Sequence, residues 1–475
     1  MMSVAAEPIV KRIAWSPADR SAPQVLVERE WLVTNGLGGY ASGTLSGACT
    51  RRYHGLLIAA LPAPLGRMVM FNHLSEELRL PGGRVIRLGA EERPDEAIEH
   101  DAAVLAEFRL EDGEPVWTYE VDDCILEKRI VLTHLQNTVH IVYRMLRAPS
   151  TLRLRLRPSF DFRPHESEVT AGPTHPYLVT ASGDRIEVQS RNLPTLRMRL
   201  SAPSAAFVLD GGRYRDVFYR IERSRGYESR GRLWNPGYFR TNIGDGQHAS
   251  LVASTEEWDM LLAVSSDEAL EAERLRSDRL VVQADPRAHS QMGAELCLAA
   301  DQFIITPMTR VVDSARAHAA GDEIRTVIAG YHWFTDWGRD TMISLEGLTL
   351  ATGRHREAGY ILRTFARYVR DGLIPNLFPE GEREGLYHTA DATLWFFHAL
   401  DRYLRATNDL ETLRIIMPKL IEIVDHHVRG TRFGIGVDHN DGLLRQGAEG
   451  YQLTWMDAKV DGWVVTPRRG KAVEI

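Results

Sequence analysis

Between Tyr331 and Thr341 the chain reads Tyr331-His332-Trp333-Phe334-Thr335-Asp336-Trp337-Gly338-Arg339-Asp340-Thr341, which gathers four aromatic rings, two carboxylates and a guanidinium just ahead of an apolar helix. That mixture suits a sugar. A pyranose lays its C–H faces on aromatic rings, while carboxylates accept from its hydroxyls and arginine donates to them. Asp336, Arg339 and Asp340 are candidates for the hydroxyl rim, and Trp333 and Trp337 for the walls. Asp340 at a helix start also suits a simple cap, and both tryptophans suit core packing.

Two further clusters carry the same chemistry. His388-Thr389-Ala390-Asp391-Ala392-Thr393-Leu394-Trp395 opens the next helix, with Asp391 as either N-cap or sugar acceptor and Trp395 as a wall. Later comes Leu453-Thr454-Trp455-Met456-Asp457-Ala458-Lys459. Hydrolysis of a glycosidic bond needs one carboxylic acid to protonate the leaving oxygen and a second carboxylate to activate water or attack the sugar. Asp457, behind Trp455 where burial would raise its pKa, is the candidate acid; the blander reading pairs it with Lys459 as a surface ion pair. In the loop between the first two clusters, Asn376 and Glu380 suit solvated positions better than the rim.

Several other strings are weaker. Gly36-Leu37-Gly38-Gly39-Tyr40-Ala41 nearly fits a dinucleotide fingerprint, but a β-like, Ser- and Gly-rich stretch follows it where a helix is required. Asp438-His439-Asn440-Asp441-Gly442 places its glycine one position early for a calcium loop, which makes it a turn. Asp425-His426-His427 falls in a helical stretch where neighbours point apart, and Arg51-Arg52-Tyr53-His54 reads as a strand with side chains on opposite faces. No metal site and no cofactor is expected.

The elements that must position these residues change character along the chain. From about Val25 to Leu280 the pattern is short and alternating, clearest in Thr151-Leu152-Arg153-Leu154-Arg155-Leu156-Arg157, with turns expected at Pro81-Gly82-Gly83, Glu111-Asp112-Gly113, Ser182-Gly183-Asp184 and Asp210-Gly211-Gly212. The charged stretch from Glu271 to Asp285 reads as an exposed linker. Beyond it, helical periodicity appears at 288–304, 341–351, 355–371, 389–405 and 411–429, with Met292, Leu296, Ala299, Ala300 and Phe303 on one expected apolar face and Leu394, Phe397, Leu400 and Leu404 on another. Long motif-bearing loops between helices favour a barrel of helix pairs over a four-helix bundle. The expected class is multidomain, β then α, with domains at 1–280 and 281–475.

The 475 residues are 44% hydrophobic and 25% charged, ordinary for a globular chain with large cores. A net charge of -7 argues against nucleic acid, and no apolar run reaches the roughly 20 residues that span a bilayer. Met1 to Glu7 shows no export signal, and Cys49, Cys124 and Cys297 are too few and too scattered for a disulfide framework, so a cytoplasmic protein with reduced thiols is expected.

Glu30-Trp31-Leu32-Val33-Thr34-Asn35-Gly36-Leu37-Gly38-Gly39-Tyr40, Thr50-Arg51-Arg52-Tyr53-His54-Gly55-Leu56-Leu57, Trp333 to Asp340 and Thr454 to Lys459 together resemble the bacterial and archaeal glycogen debranching enzymes, amylo-α-1,6-glucosidases related to glucoamylases. The resemblance implies an N-terminal β-sandwich followed by an (α/α)6 toroid, and inverting hydrolysis of the single glucose on an α-1,6 stub of glycogen or a branched limit dextrin. It assigns Arg339 and Asp340 to the grip on the terminal glucose, Trp337 to its wall and Asp457 to the general acid. It also implies that the family's catalytic base follows the region matching Thr466 to Ile475. A toroid of about twelve helices at 11–12 residues each needs more chain than the stretch from Ala288 supplies, so an incomplete toroid with impaired hydrolysis is expected. The alternatives are a non-catalytic α-glucan-binding module, or a glucosidase of glucoamylase or trehalase type. Oligomeric state is open.

Overall fold

In the computed structural model, residues 8–13, 23–94, 104–169 and 176–475 are described; Met1 to Glu7, read above for an export signal, lies outside them. The chain divides into two compact units, one of residues 1–61 and 67–279, the other of residues 62–66 and 280–475.

The first unit is antiparallel β-sheet. One sheet has nine strands and two have five each. The strand Leu152–Ser159 shows why the alternating sequence folds this way: Leu152, Leu154 and Leu156 are buried, while the arginines between them face outward. Arg155 meets Glu77 at 3.2 Å, and Arg157 donates to Asn235 at 2.8 Å. The outer face is thus covered by ion pairs and the inner face by leucine.

Pro81-Gly82-Gly83, Glu111-Asp112-Gly113 and Ser182-Gly183-Asp184 close hairpins as expected. Glu111-Asp112-Gly113 joins Leu105–Glu111 to Glu114–Val121, with Asp112 at φ 52° and Gly113 at φ 89°, the left-handed pair that a two-residue hairpin turn requires. Asp210-Gly211-Gly212, expected as a turn closing a hairpin or ending a strand, instead forms a bulge inside the long strand Ala206–Phe218, where the pairing jumps from Leu209 opposite Gly237 to Arg213 opposite Asn235. Periodicity misleads in the centre of the sheet as well. Thr138 to Tyr143 are all buried, because this strand is covered on both faces.

Gly36 to Gly39 form the turn between antiparallel strands Glu30–Thr34 and Tyr40–Thr44, so no βαβ unit surrounds them. Arg51 to Tyr53 lie in a turn, not the expected strand. There Arg51 reaches Glu30 at 2.7 Å and Tyr53 donates to Glu166 at 2.9 Å.

The stretch read as a linker is an 18-residue helix, Ser266–Gln283, anchored by Ser266, Ala269 and Ser277. Its Glu–Arg pairs at helical spacing, such as Arg274 with Glu271 at 2.7 Å, support a helix with little apolar surface. The helices after it are Gln291–Asp301, Val311–Ala319, Gly338–Leu345, His355–Arg367, Asp391–Thr407 and Leu410–Arg429, with a π-helical turn at Glu346–Leu350. Val311–Ala319 was not anticipated. The last four of these helices share a core that holds Met342, Leu345, Ile361, Leu362, Phe365, Phe396, Leu400, Ile416 and Ile423.

Helix Gln291–Asp301 is rotated from expectation, with Met292 75% and Leu296 64% exposed and Ala294, Cys297 and Leu298 buried. Asp301 sets that rotation by pairing with buried Arg354 at 2.5 Å. Asp438 to Gly442 is a hairpin turn, closed by Gly442 N–H donating to the Asp438 carbonyl at 2.7 Å. His427 lies in helix Leu410–Arg429 and bonds the Ile423 carbonyl at 2.8 Å. The three cysteines are free and buried. No helix among the described residues is long and apolar enough to cross a membrane.

Leu154→Ala is expected to destabilise the first unit by about 2–5 kcal/mol, the range for an emptied leucine site, whereas Arg153→Ala should stay within about 0.5 kcal/mol. Hydrogen-exchange protection of residues 152–159 reads both.

Candidate active site

The site is built where three chain segments in the second unit meet. Helix Gly338–Leu345 begins after Trp337, whose extended backbone bridges Leu377; Gly338 N–H donates to the Asn376 carbonyl at 2.7 Å. A Cβ on Gly338 would lie 2.1 Å from the Pro375 carbonyl oxygen, so only glycine permits this approach. The crossing aims Arg339 inward. The second segment is the start of helix Asp391–Thr407, and the third is Leu453 to Asp457, joined to it by Ala390 N–H donating to the Leu453 carbonyl at 2.7 Å.

Arg339 ties all three together. Its Nε donates to Asp391 Oδ1 at 2.8 Å, one terminal nitrogen reaches Asp457 Oδ2 at 3.5 Å and the other reaches Thr389 Oγ1 at 3.4 Å. Asp391, only 2% exposed, also accepts from Thr389 Oγ1 at 3.0 Å and from the Trp455 N–H at 3.1 Å. With three donor contacts, from Arg339, Thr389 and the Trp455 N–H, the Asp391 carboxylate is buried and fully engaged, and the helix N-cap is Ala390. Arg339 is itself 6% exposed, so its free edge is the one facing Asp457.

The accessible carboxylates are Asp340 and Asp457. Burial holds the Asp340 carboxyl above the usual range; the Arg339 charge opposes this, and the negative charges of Asp457 and Asp391 add to it. The side chain of Asp457 is 40% exposed, and Trp455, expected to bury it, is 58% exposed. The aromatic shelter inferred from sequence is therefore absent here, and Trp455 is exposed. Lys459 bonds the Gly450 carbonyl and has no ion pair with Asp457.

Other expected residues sit differently. Asp336 is buried and paired with Arg310, whose guanidinium lies 3.5 Å over the Phe378 ring. Burial lowers the Arg310 pKa to about 10. Asp336 thus belongs to the interior. Trp395 packs against the helical core with its ring perpendicular to that of His398. Trp333, Phe334 and Trp337 form a chain of rings, 6.0 Å from Trp333 to Phe334 and 6.1 Å from Phe334 to Trp337, with Phe334 41% exposed. Asn376, read as a solvated loop residue, is 1% exposed; its backbone forms the crossing that holds Gly338.

His388 is a member that sequence reasoning passed over. Burial lowers its pKa, Asp457 raises it, and Arg339 and Lys459 lower it, which places the imidazole in the same field as the acid candidate. Its ring centroid lies 6.3 Å from that of Tyr451. The only sequence signal was its place before Thr389-Ala390-Asp391.

Comparison with known families gives two matches. Residues 29–250 match the model described as glycogen debranching enzyme N terminal, and residues 298–475 match amylo-alpha-1,6-glucosidase. The glycogen debranching enzyme of Saccharomyces cerevisiae is 28% identical over a region covering 33% of this chain and 14% of the yeast protein. Among solved structures, a putative kojibiose phosphorylase from human microbiome aligns with TM-score 0.47 at 10% identity, over 92% of this chain and 60% of that one. A bacterial glucoamylase complexed with acarbose aligns with TM-score 0.42 at 10% identity, over 84% of this chain and 56% of that one. The chain thus spans 14% of the yeast relative and somewhat over half of each of these structures.

Asp391→Ala should cost about 3–5 kcal/mol, because it strands a buried guanidinium. Asp457→Ala, at the exposed end of the same arginine, should cost about 0–1 kcal/mol. Denaturant unfolding of both variants checks the contrast; equal losses would refute it.

Proposed function

The chain belongs to the glycogen debranching enzyme family, and we propose that it acts as a glycoside hydrolase that releases α-1,6-linked glucose from branch stubs of glycogen or a related α-glucan, with inversion. The observation that carries this reading is Arg339 lying against both Asp391 at 2.8 Å and Asp457 at 3.5 Å, within the region matched to amylo-alpha-1,6-glucosidase.

In this reading the terminal glucose rests against Trp337 and the open ring of Trp455, and Asp340 accepts from its hydroxyls. Arg339 holds Asp457 toward the glycosidic oxygen, and Asp457 delivers the proton. The bound glucan covers the site and removes water from around Asp457. Inversion calls for a second carboxylate about 6.5–9.5 Å from the acid, with water between them. Asp336 and Asp391, locked to buried arginines, are unsuited to that task. The helices of the second unit are proposed to contribute to an (α/α)6 toroid around the sugar, and the sheets of the first unit to be the sandwich that accompanies it.

Glucose release from a branched limit dextrin by the natural protein tests the assignment. Asp457→Asn should lower kcat by about 10²–10⁴, the usual worth of a general acid, with KM little changed, while Glu411→Gln on the outer face of helix Leu410–Arg429 leaves it intact. Loss of activity in neither variant, or in both alike, would overturn the role of Asp457. Retention on glycogen that depends on Trp337, without turnover, would replace hydrolysis with glucan binding. Faster cleavage of α-1,4 linkages or of trehalose would move the reading to a glucoamylase or trehalase type.

A further inference from the structure

The second unit carries another concavity that the glucosidase reading leaves unused. It is a cleft of about 730 Å³, lined by residues of helix Val311–Ala319, the end of helix His355–Arg367, the 383–387 loop and Arg432. That volume falls within the range of small-molecule sites. None of Arg339, Asp340, His388, Asp391, Trp455 and Asp457 lines it.

Its charge is not evenly spent. Arg316 pairs with Asp313 at 3.4 Å, Arg367 with Asp322 at 2.5 Å, and Arg432 with Asp371. Two guanidiniums remain without a carboxylate among the described residues: Arg370, held by the Tyr387 hydroxyl, and Arg383, which has no hydrogen bond or ion pair. Glu384 lines the cleft as the one opposing charge outside those pairs. Behind them the polar floor is fixed. The Tyr387 hydroxyl donates to the Tyr368 carbonyl at 2.8 Å, and the Tyr368 hydroxyl donates to Asp313 at 2.6 Å.

We propose that this cleft binds the phosphate monoester of a sugar. A phosphate monoester carries about -1.5 to -2 charges at neutral pH, which matches two uncompensated arginines. Planar guanidinium forks also fit its oxygens in bidentate fashion. The paired Asp313 and Arg316, with acceptor and donor side by side, suit the ring hydroxyls. Glu384 opposes the anion and so limits affinity. The site stands apart from the glucosidase reading, since binding is measured without turnover and shares no residue with the Arg339 cluster.

Calorimetric titration of the chain with glucose 6-phosphate, glucose and inorganic phosphate tests it. Glucose 6-phosphate should bind at least about tenfold more tightly than either of the others, since each part adds contacts worth about one charge-assisted hydrogen bond. Arg383→Gln should weaken that binding by about tenfold on the same basis, and Glu384→Gln should strengthen it. Both side chains are exposed, so neither change threatens the fold. Glucose or phosphate binding as tightly as the ester, or the two variants shifting affinity in the same direction, would overturn the proposal.

Discussion

A buried guanidinium is costly unless its donors meet carboxylates, and that requirement fixes the second unit. Arg339 is satisfied only when Asp391, Thr389 and Asp457 are all brought to it, so one side chain sets the relative placement of two helix starts and the 453–457 segment. The same device recurs. Arg310 takes Asp336, Arg354 takes Asp301 at 2.5 Å, and Arg363 takes Asp322 at 2.9 Å. In each case the pair joins segments far apart in sequence. Apolar packing of Phe365, Phe396 and their neighbours brings the helices together; the arginine–aspartate pairs decide where each loop attaches.

This division of labour separates support from chemistry. Asp336 and Asp391 are buried and paired with arginines, which suits holding and not reacting. Asp340 and Asp457 keep access to solvent, and the environments differ as acid and binding roles would require: one carboxyl is raised by burial, the other lies open beside a cation. The open rings of Trp455 and Phe334 offer apolar faces that a sugar can cover. Covering them would also dry the Asp457 carboxyl, so binding and proton delivery become one event.

Much of this was legible in the sequence, and the failures have physical causes. The switch from period two to period 3.6 marked the change from sheet to helix, and the Trp333 to Asp340 and Thr454 to Lys459 strings did meet at Arg339. Helix Ser266–Gln283 was hidden because its stability rests on ion pairs along the surface, with only small residues buried, so it lacks an apolar stripe. Helix Gln291–Asp301 turned away from its large side chains because Asp301 had to reach Arg354. Asp391 looked like a cap or a ligand, and only the three-dimensional positions of Arg339 and the Trp455 N–H show it to be a support. Burial of Asn376 followed from a backbone crossing that no local pattern encodes. Aromatic spacing also overstated shelter: Trp455 lies two residues from Asp457, yet its ring points into solvent.

The central claim is that Arg339 presents Asp457 to a glucan linkage while Asp391 holds Arg339 from behind. A crystal structure of the Asp457→Asn variant with a branched limit dextrin bound tests it most directly. The account predicts the glycosidic oxygen about 2.6–3.2 Å from the side chain at position 457, within general-acid reach, with the terminal ring against Trp337 and the Arg339–Asp391 contact intact. A sugar seated elsewhere in the second unit, or an Arg339 released from Asp391 to grip the ring itself, would contradict it.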